Sequence, residues 1–125
     1  MKKVISTVKA PAAIGPYSQA VAMGDFLFCS GQIPLDAKTG EVFTGDIKGQ
    51  TELVMKNIEA VLAANDMNFS NVVKTTIFIT SMGDFATVNE VYAKAFTAAP
   101  PARSTVAVAG LPKGVNVEIE VLAHR

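Results

Sequence analysis

The stretch Val115–Ala123, VNVEIEVLA, alternates apolar and polar side chains from Val115 to Val121. Successive side chains of a β-strand point to opposite faces of its sheet. Val115, Val117, Ile119 and Val121 therefore form one face, suited to burial under helices. Asn116, Glu118 and Glu120 form the other. A strand with one apolar and one polar face belongs to a sheet covered on one side only.

Other strand signals lie upstream. NVVKTTIFIT, residues 71–80, is rich in β-branched residues, and its alternation places Val73, Thr75, Ile77 and Ile79 opposite Val72, Lys74, Thr76 and Phe78. Residues 103–108 of PPARSTVAVAG form a further strand, with Arg103, Thr105 and Ala107 on one face. Residues 2–8 read as a short strand, followed by an irregular arm punctuated by Pro11, Gly15 and Pro16. Tyr17–Met23 and FLFCSGQI pair as a hairpin about the turn at 23–25. Phe26, Phe28 and Ser30 share one face of it, Leu27 and Cys29 the other. The glycine-bearing loop PLDAKTGEVFTGD follows.

Two segments carry helical periodicity. Ile47, Val54, Met55, Ile58, Val61 and Leu62 recur at helical spacing after Asp46, a suitable N-cap, and Asn65 is expected to stop that helix in a left-handed conformation. Ser81 opens the second helix, whose apolar stripe is Phe85, Val88, Tyr92 and Phe96. Pro100 and Pro101 end it. The order β, β-β, α, β, α, β, β predicts an α+β two-layer sandwich: two helices of about 15–18 residues against one mixed sheet. One domain spans residues 1–125.

Composition narrows the function. The 11 basic and 11 acidic residues balance, and no basic run exceeds Lys2-Lys3, so nucleic acid is not an expected partner. Half the chain is apolar, yet nothing approaches the about 18 consecutive apolar residues of a membrane span. The N-terminus lacks a continuous signal-type apolar stretch, so the expected location is cytoplasmic. Cys29 has no partner for an internal disulfide and reads as a buried thiol. One cysteine and one histidine fall short of a structural zinc site, and no P-loop or Rossmann glycine pattern offers a cofactor cradle, so neither metal nor cofactor is expected. His124 reads as an exposed tail residue.

The residues left to carry chemistry are Tyr17, Ser30, Gly31, Asn89, Arg103, Thr105, Glu118 and Glu120. Arg103 and the terminal Arg125 are the only arginines. A guanidinium inside a small-residue strand has two readings. It clamps a planar carboxylate through paired hydrogen bonds, or it pairs across strands with Glu118 or Glu120. Glu118 suits positioning or deprotonating a water. Ser30 and Thr105 suit orienting polar substrate atoms, and Gly31 allows close backbone approach. A face mixing Arg103, Thr105 and Ala107 with Asn116, Glu118 and Glu120 suits packing against another subunit around a polar cleft.

GPYSQA at 15–20, SGQIP at 30–34, NEVYAKAF at 89–96, PARSTV at 101–106 and VEIEVLA at 117–123 together resemble the Rid family, the YjgF-like reactive intermediate deaminases also labelled endoribonuclease L-PSP. The resemblance implies the two-layer fold shared with trimeric bacterial chorismate mutases, and a homotrimer with a central barrel and clefts between subunits. It implies hydrolysis of 2-iminobutanoate and 2-iminopropanoate, or their enamines, to 2-keto acids and ammonia without cofactor or metal. Arg103 matches the family's carboxylate-binding arginine and Glu118 the glutamate associated with the hydrolytic water. Tyr17, Ser30 and Asn89 match cleft residues. Thr105 stands where cysteine is common, and Ala107 where many members have glutamate.

Overall fold

The computed structural model describes all residues, 1–125. Six strands and two helices follow in the order β1 (Lys2–Ile5), β2 (Ala20–Met23), β3 (Phe26–Cys29), α1 (Ile47–Ala63), β4 (Val72–Ile79), α2 (Phe85–Ala93), β5 (Ala102–Ala107) and β6 (Val117–His124). They form one mixed sheet in the order β1-β2-β3-β6-β4-β5. Only β4 and β5 run parallel, joined through α2, and every other pair is antiparallel. This is the α+β arrangement that the alternation of Val115–Val121 predicts.

The core lies between the sheet and the two helices. Val117, Ile119 and Val121 of β6 meet Leu27 and Ala123 on the sheet, and Val54, Ile58, Val61, Leu62, Val88 and Val91 from the helices. Leu27, Leu62, Ile77, Ile79, Ile119 and Val117 are all fully buried, each worth about 1.5–3 kcal/mol of transfer free energy. Asp46 caps α1 as expected, its carboxylate accepting from the Gly49 N–H at 2.9 Å.

Four local expectations are corrected. Asp66, not Asn65, takes the left-handed conformation after α1, with φ of 56°. Val73 does not share the buried face of β4: the β4–β6 register slips between Val72 and Lys74, so Val72 turns inward and Val73 outward. An extra residue at a bulge reverses the face of everything on one side of it. The second helix has only nine residues, because Ser81 caps a separate 3₁₀ turn at Met82–Asp84 and regular structure ends at Ala93. Strand pairing of β2 begins at Ala20, which leaves Tyr17 in the arm.

The fourth strand pairing decides where chemistry can occur. Arg103, Thr105 and Ala107 of β5 lie beside Thr75, Ile77 and Ile79 of β4, on the helix-covered face. Glu118 and Glu120 lie beside Phe78 and Thr76, on the open face. The expected face mixing Arg103 with Glu118 does not exist within one chain. Parallel and antiparallel neighbours both keep register partners on the same side, and β4 lies between β5 and β6, so the two sets point apart.

Candidate functional site

The predicted residues separate into two groups. Tyr17, Ser30, Gly31 and Glu118 line a cavity of about 540 Å³ together with Gln19, Gln32, Lys113 and the arm residues Pro11, Ala12 and Ile14. Arg103, Asn89 and Thr105 stand at the β5 edge beside α2, outside this lining.

The cavity is built on the hairpin and its arm. Gln19 is buried and staples the arm to β2: its side-chain oxygen accepts from the Thr7 N–H at 2.6 Å, and its amide donates to the Thr7, Ala10 and Pro11 carbonyls. The Ser30 hydroxyl donates to the Ser18 carbonyl at 2.6 Å, so its proton is already committed and only its acceptor capacity faces a ligand. Gln32 bridges to Ile119, which fixes the segment carrying Gly31 against β6. Tyr17 remains half-exposed at the rim, with its hydroxyl 3.4 Å from the Ile14 N–H.

Gly31 and Glu118 form the tightest contact. A Cβ on Gly31 would run into the Glu118 carboxylate, with Cδ at 2.9 Å and Cγ at 3.1 Å. Only a bare Cα leaves room for the carboxylate there. Burial, and secondarily the charge of Glu120, raises the Glu118 pKa above the ordinary carboxylate value. Glu118 thus takes up and gives back a proton closer to neutrality than an exposed glutamate does.

The second group centres on the guanidinium. Arg103 donates from Nη1 to Asn89 Oδ1 at 2.6 Å. Its Cζ stands 5.4 Å from the Phe85 ring centre and 5.0 Å from that of Tyr92. The Tyr92 hydroxyl is in turn 2.8 Å from Thr75 Oγ1. The cross-strand pairing with Glu118 or Glu120 left open by the sequence is excluded, since those acids point to the other face. The Thr105 hydroxyl is buried and has no hydrogen-bond partner within the chain.

Known proteins resemble this chain over nearly its whole length. The family model described as endoribonuclease L-PSP matches residues 7–125. The chain is 47% identical to the mouse protein named 2-iminobutanoate/2-iminopropanoate deaminase, over 98% of this chain and 91% of that one. The chain belongs to the Rid family. At the level of structure, a Thermotoga maritima protein superposes with a TM-score of 0.98 at 52% identity, covering 100% of this chain and 98% of that one. The crystal structure of Escherichia coli TdcF with bound serine superposes with a TM-score of 0.94 at 46% identity, over 98% of each chain.

Four residues of these two groups carry no functional signal in the sequence of this Rid-family chain. Gln19 and Lys113 gave no signal, because one depends on the arm folding back and the other on a turn reaching the cavity rim. Phe85 and Tyr92 were visible as a stripe, but it reads as core packing. Their spacing puts them on one helix face, where both meet the guanidinium. His124 is exposed, yet it is the last residue of β6 and stands edge-on to Phe26 at 4.6 Å. No cluster of three His, Cys, Asp or Glu side chains forms a metal-binding group, and no helix is long and apolar enough to cross a membrane.

Proposed function

We propose that this protein is a homotrimeric hydrolytic deaminase, converting 2-iminobutanoate and 2-iminopropanoate to 2-keto acids and ammonia at sites shared between subunits. The observation that carries this reading is the separation of its chemistry. One chain presents an acid in a cavity on the open side of the sheet, and a carboxylate clamp at the β5 edge on the other. A substrate bearing both a carboxylate and an electrophilic carbon needs both groups, so a second copy supplies one of them. The open face favours such assembly. Val4, Met23, Phe26 and Phe28 are exposed apolar side chains on neighbouring strands of that face, and Val106 is another at the β5 edge.

Arg103 binds the substrate carboxylate through paired N–H donors. Water held at Glu118 adds to the C=N carbon of the protonated imine, and its proton passes to the Glu118 carboxylate. Glu118 then returns that proton to the amino nitrogen of the carbinolamine. Glu118, ionised again, takes the hydroxyl proton as the C–N bond breaks, which releases ammonia and leaves the 2-keto acid. No redox change occurs. The raised pKa of Glu118 suits both directions of proton transfer.

The test couples activity to assembly. A threonine dehydratase generates 2-iminobutanoate in the presence of semicarbazide, and a deaminase slows semicarbazone formation. Arg103→Ala and Glu118→Gln should each lose most activity while remaining trimeric by sedimentation. Refolding the two variants together in equal amounts should restore about a quarter of wild-type activity, because every mixed trimer regains one intact interface. No acceleration by an intact wild-type trimer would refute the deaminase. No recovery in mixed trimers would refute the shared site.

A second reading is a sensor that binds a small amino or keto acid without chemistry. The TdcF structure with bound serine favours it. Saturable binding of 2-oxobutanoate with no acceleration of hydrolysis is its signature. Balanced charge gives no support to a phosphate-backbone substrate.

A further inference from the structure

Arg103 sits in a mount made entirely of neutral groups. Asn89 Oδ1 accepts from one terminal nitrogen at 2.6 Å, and the Phe85 and Tyr92 rings lie 5.4 and 5.0 Å from the guanidinium carbon. Tyr92 is itself buried and tied to Thr75. Such a mount restrains both the plane and the rotation of the guanidinium. A carboxylate at position 89 would hold Arg103 more strongly, but it would occupy the donors and cancel the charge that a substrate carboxylate needs. Resting on the deaminase reading above, we propose that Asn89 is a positioning residue: it orients Arg103 as a neutral acceptor and so keeps the clamp selective for anionic substrates.

This changes the role expected of Asn89 from the sequence. Its Oδ1 contacts the arginine, and its effect on substrate passes through that contact. The amide is what matters at this position, since asparagine and aspartate have nearly the same shape and differ in charge. Helix α2 supplies all three parts of the mount, from Phe85, Asn89 and Tyr92, at helical spacings of four and three residues.

The test compares wild type, Asn89→Asp and Asn89→Ala. Steady-state hydrolysis of 2-iminobutanoate gives kcat and KM. Binding is measured for 2-oxobutanoate and for its neutral methyl ester. Asn89→Asp should raise KM about fivefold, the upper range for losing an ion pair at an exposed site, with kcat nearly unchanged. It should also erase the preference for the anion over the ester, which a merely structural defect would not do. Asn89→Ala should raise KM about threefold while keeping the anion preference, because the charge survives and only its orientation is lost. Wild-type KM and wild-type anion preference in a folded Asn89→Asp protein would overturn the proposal. If that variant does not fold, a wild-type KM in Asn89→Ala overturns it equally. A ligand-free readout separates this inference from the deaminase reading. The chain has two arginines, so the Arg103 guanidinium ¹⁵N–¹H signals are readily assigned. Slowed guanidinium rotation in wild type, faster in Asn89→Ala, supports positioning even if hydrolysis is absent. Equal rotation in both refutes it.

Discussion

Adding one methyl group at Gly31 should disable the acid while sparing the fold. In Gly31→Ala the new Cβ would lie 2.9 Å from Glu118 Cδ and closer still to a carboxylate oxygen. Ordinary carbon contacts begin near ~3.5 Å, so the carboxyl carbon must retreat by about 0.6 Å, and its oxygen by more. The backbone gives no reason for strain, because the glycines with positive φ are 15, 24, 40 and 114. Only the far end of a flexible side chain has to move, at a rotamer cost of about 0.5–1.5 kcal/mol. Catalysis is less forgiving: a misplacement near 1 Å costs about 10²-fold. We expect kcat to fall about 10- to 100-fold, with the assembly state unchanged and Tm lowered by only a few degrees. The semicarbazide competition assay reads the first quantity, and thermal melting with sedimentation reads the others. Shortening the acid by one methylene in Gly31→Ala/Glu118→Asp should recover part of the loss. Wild-type kcat in Gly31→Ala would show that the position of Glu118 does not matter to the reaction. An unfolded variant would show that Gly31 serves the fold instead.

Glu118 should also leave a signature in stability. Its folded-state pKa is raised, so the folded chain holds this proton more tightly than the unfolded chain does. Wild-type stability is therefore lost as pH rises from the ordinary glutamate value through the folded one. Glu118→Gln lacks this loss: its Tm should exceed that of wild type at neutral pH, and the gap should close in acid. A gap that widens in acid would reverse the sign and refute the desolvation argument. Cys29 offers an independent check, since burial pushes its thiol pKa up to about 12. At pH 8 its thiolate fraction is about a thousandfold below that of an exposed cysteine, so native alkylation should be slow and unfolding should release it. Rapid alkylation of the folded protein would contradict the packing around Leu27 and Cys29.

The legible parts of this fold are those set by local periodicity. Val117, Ile119 and Val121 announce their burial by strict alternation, and Val54, Ile58 and Val61 by helical spacing. Asp46 announces its cap by chemistry alone. Alternation puts Val73 on the wrong face because it cannot detect a bulge, which depends on how the neighbouring strand pairs. The same limit explains the larger error. Arg103 and Glu118 each lie in a clearly strand-like segment, but the sequence of one strand does not say which of its faces joins which face of another. That relation is fixed only when β4 is inserted between β5 and β6. The candidate residues themselves were visible as polar groups on apolar strands, whereas Phe85 and Tyr92 hid among core aromatics because their contact with a guanidinium is a tertiary fact.

The division between the two faces has a chemical rationale. Had Arg103 faced Glu118 within one chain, the ion pair would have consumed both groups. The guanidinium would favour ionised glutamate and lower its pKa, opposing the burial that raises it. The same pairing would occupy the donors required by a substrate carboxylate. The fold avoids both losses. Glu118 keeps only Glu120 as a charged influence, which reinforces the raised pKa, and Arg103 rests on an amide and two rings. Acid and guanidinium thus stay apart within the chain. In the proposed trimer the substrate's own carboxylate stands between them, so the clamp is neutralised by the ligand and not by the acid that must move protons.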